Sequence, residues 1–284
     1  MDYSRLLPIL AMATASACAG QQPNLSQHVG VVYDGAGQKV KAAQHNDKND
    51  NHFSQENIDE ILQSTVQIYT EIELTQKIGE TDGGLDIKLS KKLTGTGSGV
   101  ALCNNYVLTA EHNVPQTYNE MKVSNLIVAI NNEYPAVVVK RENESDLALL
   151  SVDCKGCLTP YMGGFAETVE VGDFVAGAGF PLGGTVRLFK GHVSGRDVET
   201  QTPSSTLDID THIAPGDSGG LVVNYVNGKS RFISIALGVY ENQEGQAIIS
   251  KLEGAVDFLK DSPAIACWKQ KQSEQNKQNE KENK

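Results

Sequence analysis

Ala214-Pro215-Gly216-Asp217-Ser218-Gly219-Gly220 is the stretch whose reading decides the fold. Glycine adopts backbone angles closed to other residues, so a serine with Gly-Asp before it and Gly-Gly after it sits where the chain can turn tightly. In such a turn the N–H groups of Gly216 and Ser218 aim at one point and can hold a developing oxyanion. A hydroxyl by itself is a poor nucleophile. The stretch therefore demands a general base and an orienting acid elsewhere, in an order that one fold can bring together.

Both are present. Val107-Leu108-Thr109-Ala110-Glu111-His112 is a short apolar run ending in histidine, and Ser145-Asp146-Leu147-Ala148-Leu149-Leu150 sets an acid just ahead of an apolar strand. The order His112, Asp146, Ser218 is that of chymotrypsin, and differs from those of subtilisin and the α/β-hydrolases. Taken singly each segment is weak: Gly-Asp-Ser-Gly-Gly can be a plain turn, and a histidine beside a strand a satisfied structural residue. Together they point to acyl transfer, with His112 as base, Asp146 as its orienter, Ser218 as nucleophile and the Gly216 and Ser218 amides as the oxyanion hole. Glu111, Glu142 and Glu144 lie near these motifs and read as solvated surface charges.

From about Gln63 to Asp261 the chain resembles trypsin-fold serine proteases of the bacterial high-temperature-requirement A (HtrA/Deg) type. Thr94-Gly95-Thr96-Gly97-Ser98-Gly99-Val100 looks like that family's Gly-Ser-Gly strand entry, and Asp210-Thr211-His212-Ile213-Ala214-Pro215-Gly216 like its approach to the nucleophile. Ile235-Ala236-Leu237-Gly238 and the run from Gly245 to Leu259 extend the similarity to trypsin itself. The resemblance implies an all-β chymotrypsin fold: two six-stranded antiparallel β-barrels followed by a short C-terminal helix. It further implies a serine endopeptidase that forms a covalent acyl-enzyme on unfolded or exposed protein segments in the cell envelope, with no cofactor and no metal. A trypsin-fold surface or binding protein that kept the barrels without turnover is the alternative. In trypsin the aspartate matching Asp217 is paired by a new amino terminus, but no Arg or Lys precedes an Ile-Val-Gly-Gly here, so Asp217 is expected to find a neighbouring donor. The stretch after the barrels has no room for the PDZ domain that many relatives carry.

Counting back from Ser218, the position at the base of trypsin's primary pocket falls on His212, with Ile213 next. No acid stands there, which argues against a preference for Arg or Lys. Ile213, Leu237, Gly238 and Ala247 are instead expected to line a shallow apolar pocket for Val, Ala or Leu, while His212 could attract an acidic residue or be structural.

The rest of the chain fits short strands between turns. Gly97 to Leu102, Tyr106 to Thr109, Leu126 to Ile130, Ala136 to Arg141 and Leu147 to Val152 would build the first barrel. Val175 to Ala178, Thr185 to Ser194, Ser205 to Ile213, Gly220 to Val223, Ile233 to Val239 and Ala247 to Ser250 would build the second. Ile58, Ile61, Leu62 and Val66 predict a short helix running into a strand, capped by Asn57 with Glu60. Thr75 to Lys92 reads as a long polar loop. Leu252 to Leu259 reads as helix, with Trp268 packed behind it.

Met1 to Gly20 reads as an export signal with an apolar stretch too short for a stable anchor helix. Ala17-Cys18 resembles a lipoprotein processing site, in which Cys18 would be lipidated; simple cleavage and release is the rival. Residues 21–56 form a polar disordered tether, 57–267 the protease domain and 268–284 a disordered polar tail. Export to the periplasm or cell envelope, or secretion, agrees with an even set of remaining cysteines. Cys154 with Cys157 and Cys103 with Cys267 is the favoured pairing, although spacing alone does not fix connectivity. A redox Cys-x-x-Cys lacks its βαβ setting, and a zinc site lacks a second ligand pair. The net charge of −11 with scattered Lys and Arg disfavours nucleic acid and anionic membrane. Partners are then protein or peptide substrates, with a membrane reached only through a lipid at Cys18.

Overall fold

The computed structural model describes residues 53–282 apart from 81–85, 104, 119–120, 155, 197–205, 227 and 240–246. The export signal, Cys18 and most of the tether lie outside the described residues.

Helix α1 (Gln55–Ser64) starts earlier than expected. Its N-cap is Ser54, whose hydroxyl accepts the Asn57 amide at 3.2 Å, so Asn57 is not the cap. Phe53 is buried just ahead of it, its ring 5.5 Å from Phe174 and 5.0 Å from Tyr225.

The first barrel contains β1 (Thr65–Glu80), β2 (Asp86–Cys103), β3 (Tyr106–Ala110), β5 (Met121–Ile130), β6 (Tyr134–Glu142) and β7 (Leu147–Val152), with the two-residue β4 (Thr117–Tyr118) beside β5. Its antiparallel order is β1-β2-β3-β7-β6-β5, closed by β1 on β5. The polar stretch around residues 75–92, expected as a loop, instead extends β1 and β2 as a hairpin, paired from Thr65 and Val100 out to Glu80 and Asp86. Buried Ile72, Leu74 and Leu93 pack the hairpin's base against Met121, Val123 and Leu126 of β5, and backbone pairing extends from that support.

The second barrel contains β8 (Phe174–Gly179), β9 (Arg187–Arg196), β10 (Thr206–Ile209), β11 (Leu221–Val226), β12 (Lys229–Val239) and β13 (Ala247–Ser250), closed in the order β10-β13-β12-β11-β8-β9. β10 ends at Ile209, so Asp210 to Ile213 lies outside the strand predicted to hold it.

Strand alternation builds both barrel cores and the seam between them. Along β7, Ala148 and Leu150 fill the first barrel, while Leu147 and Leu149 face the other way. Along β11, Val222 fills the second barrel, while Leu221 and Val223 face outward. These outward faces, joined by Val100 and Leu102 of β2, Leu108 of β3 and Ala176 of β8, meet in one buried seam between the barrels. Side chains point to opposite faces of a strand, so an apolar run buried on both faces is what such a seam requires. Each fully buried Leu or Val contributes about 1.5–3 kcal/mol, and the seam is correspondingly well fixed.

Helix α2 (Leu252–Leu259) adds Ala255, Phe258 and Leu259 to the seam. A further helix, α3 (Pro263–Glu282), corrects the expected disordered tail. Trp268 is buried, with its indole N–H on the Tyr161 carbonyl at 2.7 Å and its ring 4.7 Å from Phe165. Cys267 bonds to Cys103 of β2, and Cys154 bonds to Cys157. The docked first turns nucleate α3, and Lys, Gln and Glu are good enough helix formers to propagate it. A hydrogen bond of 2.9 Å from Gln270 to Glu274 supports the exposed part.

Candidate active site

The three residues singled out from sequence each sit at an end of a seam strand: His112 after β3, Asp146 before β7, Ser218 before β11. β3 and β7 are antiparallel neighbours, with Ala110 opposite Leu147, so the residues just beyond that pair also adjoin. The Glu111 amide duly donates to the Asp146 carbonyl at 3.0 Å.

His112 lies in a short 3₁₀ turn, Glu111–Asn113. Its amide donates to Asp146 Oδ1 at 2.9 Å, and its Nδ1 lies 2.6 Å from Asp146 Oδ2. One carboxylate thus fixes both the turn and the ring. With Nδ1 held by a carboxylate, the proton stays there and Nε2 is left as the basic nitrogen. Burial pulls the imidazole's pKa down, but the Asp146 charge and hydrogen bond, with a smaller push from Glu111, outweigh it and leave the pKa raised. Asp146 itself has φ 53°, a left-handed conformation that Asp tolerates better than most residues.

Ser218 occupies a turn shaped by close contacts. Gly216 has φ 99°, and a Cβ there would meet the Phe180 carbonyl oxygen at 2.4 Å. Gly219 has φ 88°, and its Cβ would meet the Ser98 carbonyl oxygen at 2.0 Å. Only glycine fits either place. Among the described residues the Gly216 and Ser218 amides have no acceptor, whereas those of Asp217 and Gly219 are used by the Ala214 and Ala236 carbonyls. The Ser218 hydroxyl donates to the Leu237 carbonyl at 3.0 Å, and no direct hydrogen bond joins it to His112.

The turn of Ser218 is pinned to the first barrel by residues that sequence reading did not single out. Asn113 Nδ2 donates to the Ser218 carbonyl at 2.8 Å, as does the Ser98 amide at 2.8 Å. The Ser98 hydroxyl donates to the Gly216 carbonyl at 2.6 Å and accepts from the Phe180 amide at 2.8 Å. Thr109 donates to the Ser98 carbonyl at 2.7 Å and accepts from Asn113 at 3.0 Å. The available signal was a buried polar pair, Thr109 and Asn113, four residues apart around the histidine, and the serine of the Gly-Ser-Gly motif.

Asp217 finds one of the donors expected of it: Oδ2 accepts the Ala214 amide at 2.8 Å, while Oδ1 is buried with no partner. Burial raises its pKa, opposed by the Ala214 amide and the charges of Arg187 and His212. A Cβ on Gly179 would meet Asp217 Oδ1 at 2.4 Å, so that glycine is what admits the carboxylate.

Two readings need correction. Ile213 and Ala247, taken as pocket walls, are buried in the second barrel's core, because the strand pairing of Ala247 with Ile209 and Val239 turns it inward. Leu237, whose carbonyl accepts the Ser218 hydroxyl, and Gly238 after it are part-exposed, and His212 is exposed. Glu111 is not a solvated surface charge: its side chain is 14% exposed and lies 3.3 Å from Arg141 Nη1. Among the described residues no group of three or more His, Cys, Asp or Glu is arranged to hold a metal ion.

Residues 97–230 match the family model described as a trypsin-like peptidase domain. A probable periplasmic serine endoprotease, DegP-like, of Rhizobium meliloti (strain 1021) is 32% identical over 131 residues, 45% of this chain and 25% of that protein. The magnetosome formation protease MamE of Paramagnetospirillum magneticum is 29% identical over 138 residues, 47% of this chain and 19% of that protein. The chain spans between 18% and 32% of the length of such curated relatives. In fold it superposes on the HtrA-type protease AlgW, solved with a decapeptide, with a TM-score of 0.54 and 22% identity over 72% of this chain and 66% of that one. Residues 97–230 are therefore similar to a trypsin-like peptidase domain and lie within a pair of six-stranded barrels, and the relatives matched are named as DegP- and HtrA-like serine proteases.

Proposed function

We propose that the chain is a serine endopeptidase that cuts unfolded or exposed protein segments after export to the cell envelope. The 2.6 Å pairing of His112 with Asp146, at the mouth of the seam that also carries Ser218, is the observation behind this conclusion. The Ser218 hydroxyl leaves the Leu237 carbonyl and gives its proton to His112 Nε2 as its oxygen attacks the peptide carbonyl. Breaking that neutral hydrogen bond costs about 1 kcal/mol, small beside the barrier of amide hydrolysis. Asp146 stabilises the imidazolium, and the Gly216 and Ser218 amides receive the oxyanion. His112 then returns the proton to the leaving amine, and a water repeats the sequence on the acyl-enzyme.

The periplasmic names of the relatives support export, with Cys18 as the residue to carry a lipid if the leader is processed as in lipoproteins. Substrates are polypeptides, and the chain's own groups perform the chemistry without a cofactor.

One observation favours a second reading, a binding protein without turnover: the Ser218 hydroxyl donates to a backbone carbonyl instead of to the base. Labelling with a fluorophosphonate separates the two. Wild-type protein should be modified at Ser218 and Ser218→Ala should not; folded wild-type protein that stays unlabelled sinks the peptidase reading.

A further inference from the structure

Glu111 and Arg141 form a charged pair that the proposed mechanism leaves idle. Their side chains are 14% and 16% exposed, 3.3 Å apart, and Arg141 Nη1 also donates to the Val114 carbonyl. A partly buried ion pair adds little stability over apolar residues of similar volume, so stability alone gives this one no purpose.

Its placement does. Arg141 stands on β6 opposite Ala148 of β7, and Asp146 lies in the turn that joins those two strands. One hairpin thus grips the 3₁₀ turn of His112 at both ends. At the start, the Asp146 carbonyl and carboxylate take the Glu111 and His112 amides. At the end, Arg141 takes the Val114 carbonyl, while the Val114 amide closes on Glu111. The charges facing His112 are Asp146 and Glu111, and those facing Glu111 are Asp146, Arg141 and His112.

We propose that Glu111 and Arg141 are positioning residues for His112: Arg141 fixes the turn that carries the imidazole, and Glu111, in that same turn, anchors Arg141 and adds a second negative charge beside Asp146. This rests on His112 being the general base. A second carboxylate favours the imidazolium, and an uncompensated guanidinium disfavours it. Removing Glu111's charge does both, since it deletes the anion and frees the cation; removing Arg141's charge does the reverse.

The test is the His112 imidazole titration followed by NMR, assigned with a His112→Gln variant, with thermal midpoints recorded to confirm folding. Glu111→Gln should lower the titration midpoint by about 0.5 pH unit or more. Arg141→Gln should raise it, and the acid limb of kcat/KM should follow each shift. No shift in either folded variant, or shifts in the same direction, overturns the proposal. Should Glu111→Gln fail to fold, Arg141→Gln decides alone: an upward shift supports the proposal, an unchanged or lower midpoint overturns it. The imidazole titrates whether or not the protein turns over, so inert wild-type protein would remove the peptidase reading while this measurement still stood.

Discussion

The side-chain amide of Asn113 holds the main-chain carbonyl of Ser218 at 2.8 Å, joining the residue after His112 to Ser218 itself. The two lie 105 residues apart in the chain and belong to different barrels. This bond, with the Ser98 amide on the same carbonyl, ties the turn of Ser218 to the turn of His112 across the two barrels.

Asn113→Ala should therefore cost catalysis more than stability. It leaves the part-buried Ser218 carbonyl with the Ser98 amide alone, a loss of about 1 kcal/mol, and leaves the turn of Ser218 freer to drift. We expect kcat to fall about 10-fold or more with KM little changed. Gly97→Ala should act in the same direction, because its Cβ would lie 2.5 Å from the Asn113 amide group. Steady-state kinetics on both variants checks this; unchanged kcat in folded Asn113→Ala contradicts it.

Gly219→Ala should abolish activity and lower stability by more than about 2 kcal/mol, the combined effect of a left-handed φ and a backbone clash. Its Cβ would meet the Ser98 carbonyl oxygen at 2.0 Å, and the main chain cannot yield cheaply. Gly238→Ala is the matched control. Among the described residues nothing lies within 4 Å of its Cβ direction, so its stability should stay within about 0.5 kcal/mol of wild type.

On the proposed mechanism activity should rise with pH through a midpoint above 6.5, since a general base at His112 would have to be neutral to accept the serine proton and its pKa is raised. The sign for stability is opposite. A raised imidazole pKa contributes stability that is fully present below the unfolded value of about 6.5 and is lost as pH climbs through the folded value. Asp146→Asn should lower the kinetic midpoint and cut kcat by several powers of ten, to about 10⁴-fold. A pH–rate profile that flattens without moving its midpoint in Asp146→Asn would count against the pairing as the cause.

The two disulfides should differ in worth. Cys103–Cys267 closes 164 residues and is expected to contribute about 5 kcal/mol, whereas Cys154–Cys157, with a separation of three, contributes about 2 kcal/mol. Ser replacements of each pair, compared by chemical denaturation, give the ranking. The first should also expose Trp268 to quenchers, because its bond anchors α3.

Residue preference at the scissile bond should be for small or branched apolar side chains over Arg. The apolar Leu237 adjoins Ser218 through its carbonyl, and the acid at position 210 is engaged with His192. A fluorogenic peptide panel should show cleavage after Val, Ala or Leu exceeding that after Arg by about 10-fold, the discrimination expected of roughly 1.4 kcal/mol. Faster cleavage after Arg removes the apolar site.

The sequence by itself determined the residue types that can do the chemistry, their order, and where most strands run, because those depend on local turn geometry and on a period of two along the backbone. Tertiary structure alone decided which face of each strand meets the seam. That is why Ile213 and Ala247 went into a core and Glu111 met Arg141, and it is how Asn113 reached a carbonyl in the other barrel. It also turned the Lys269 to Glu282 stretch into helix, since a buried Trp268 and a distant cysteine supplied the nucleus that composition lacked. Register and long-range hydrogen bonding depend on partners far away in the chain, and no window of sequence contains both ends of such a bond.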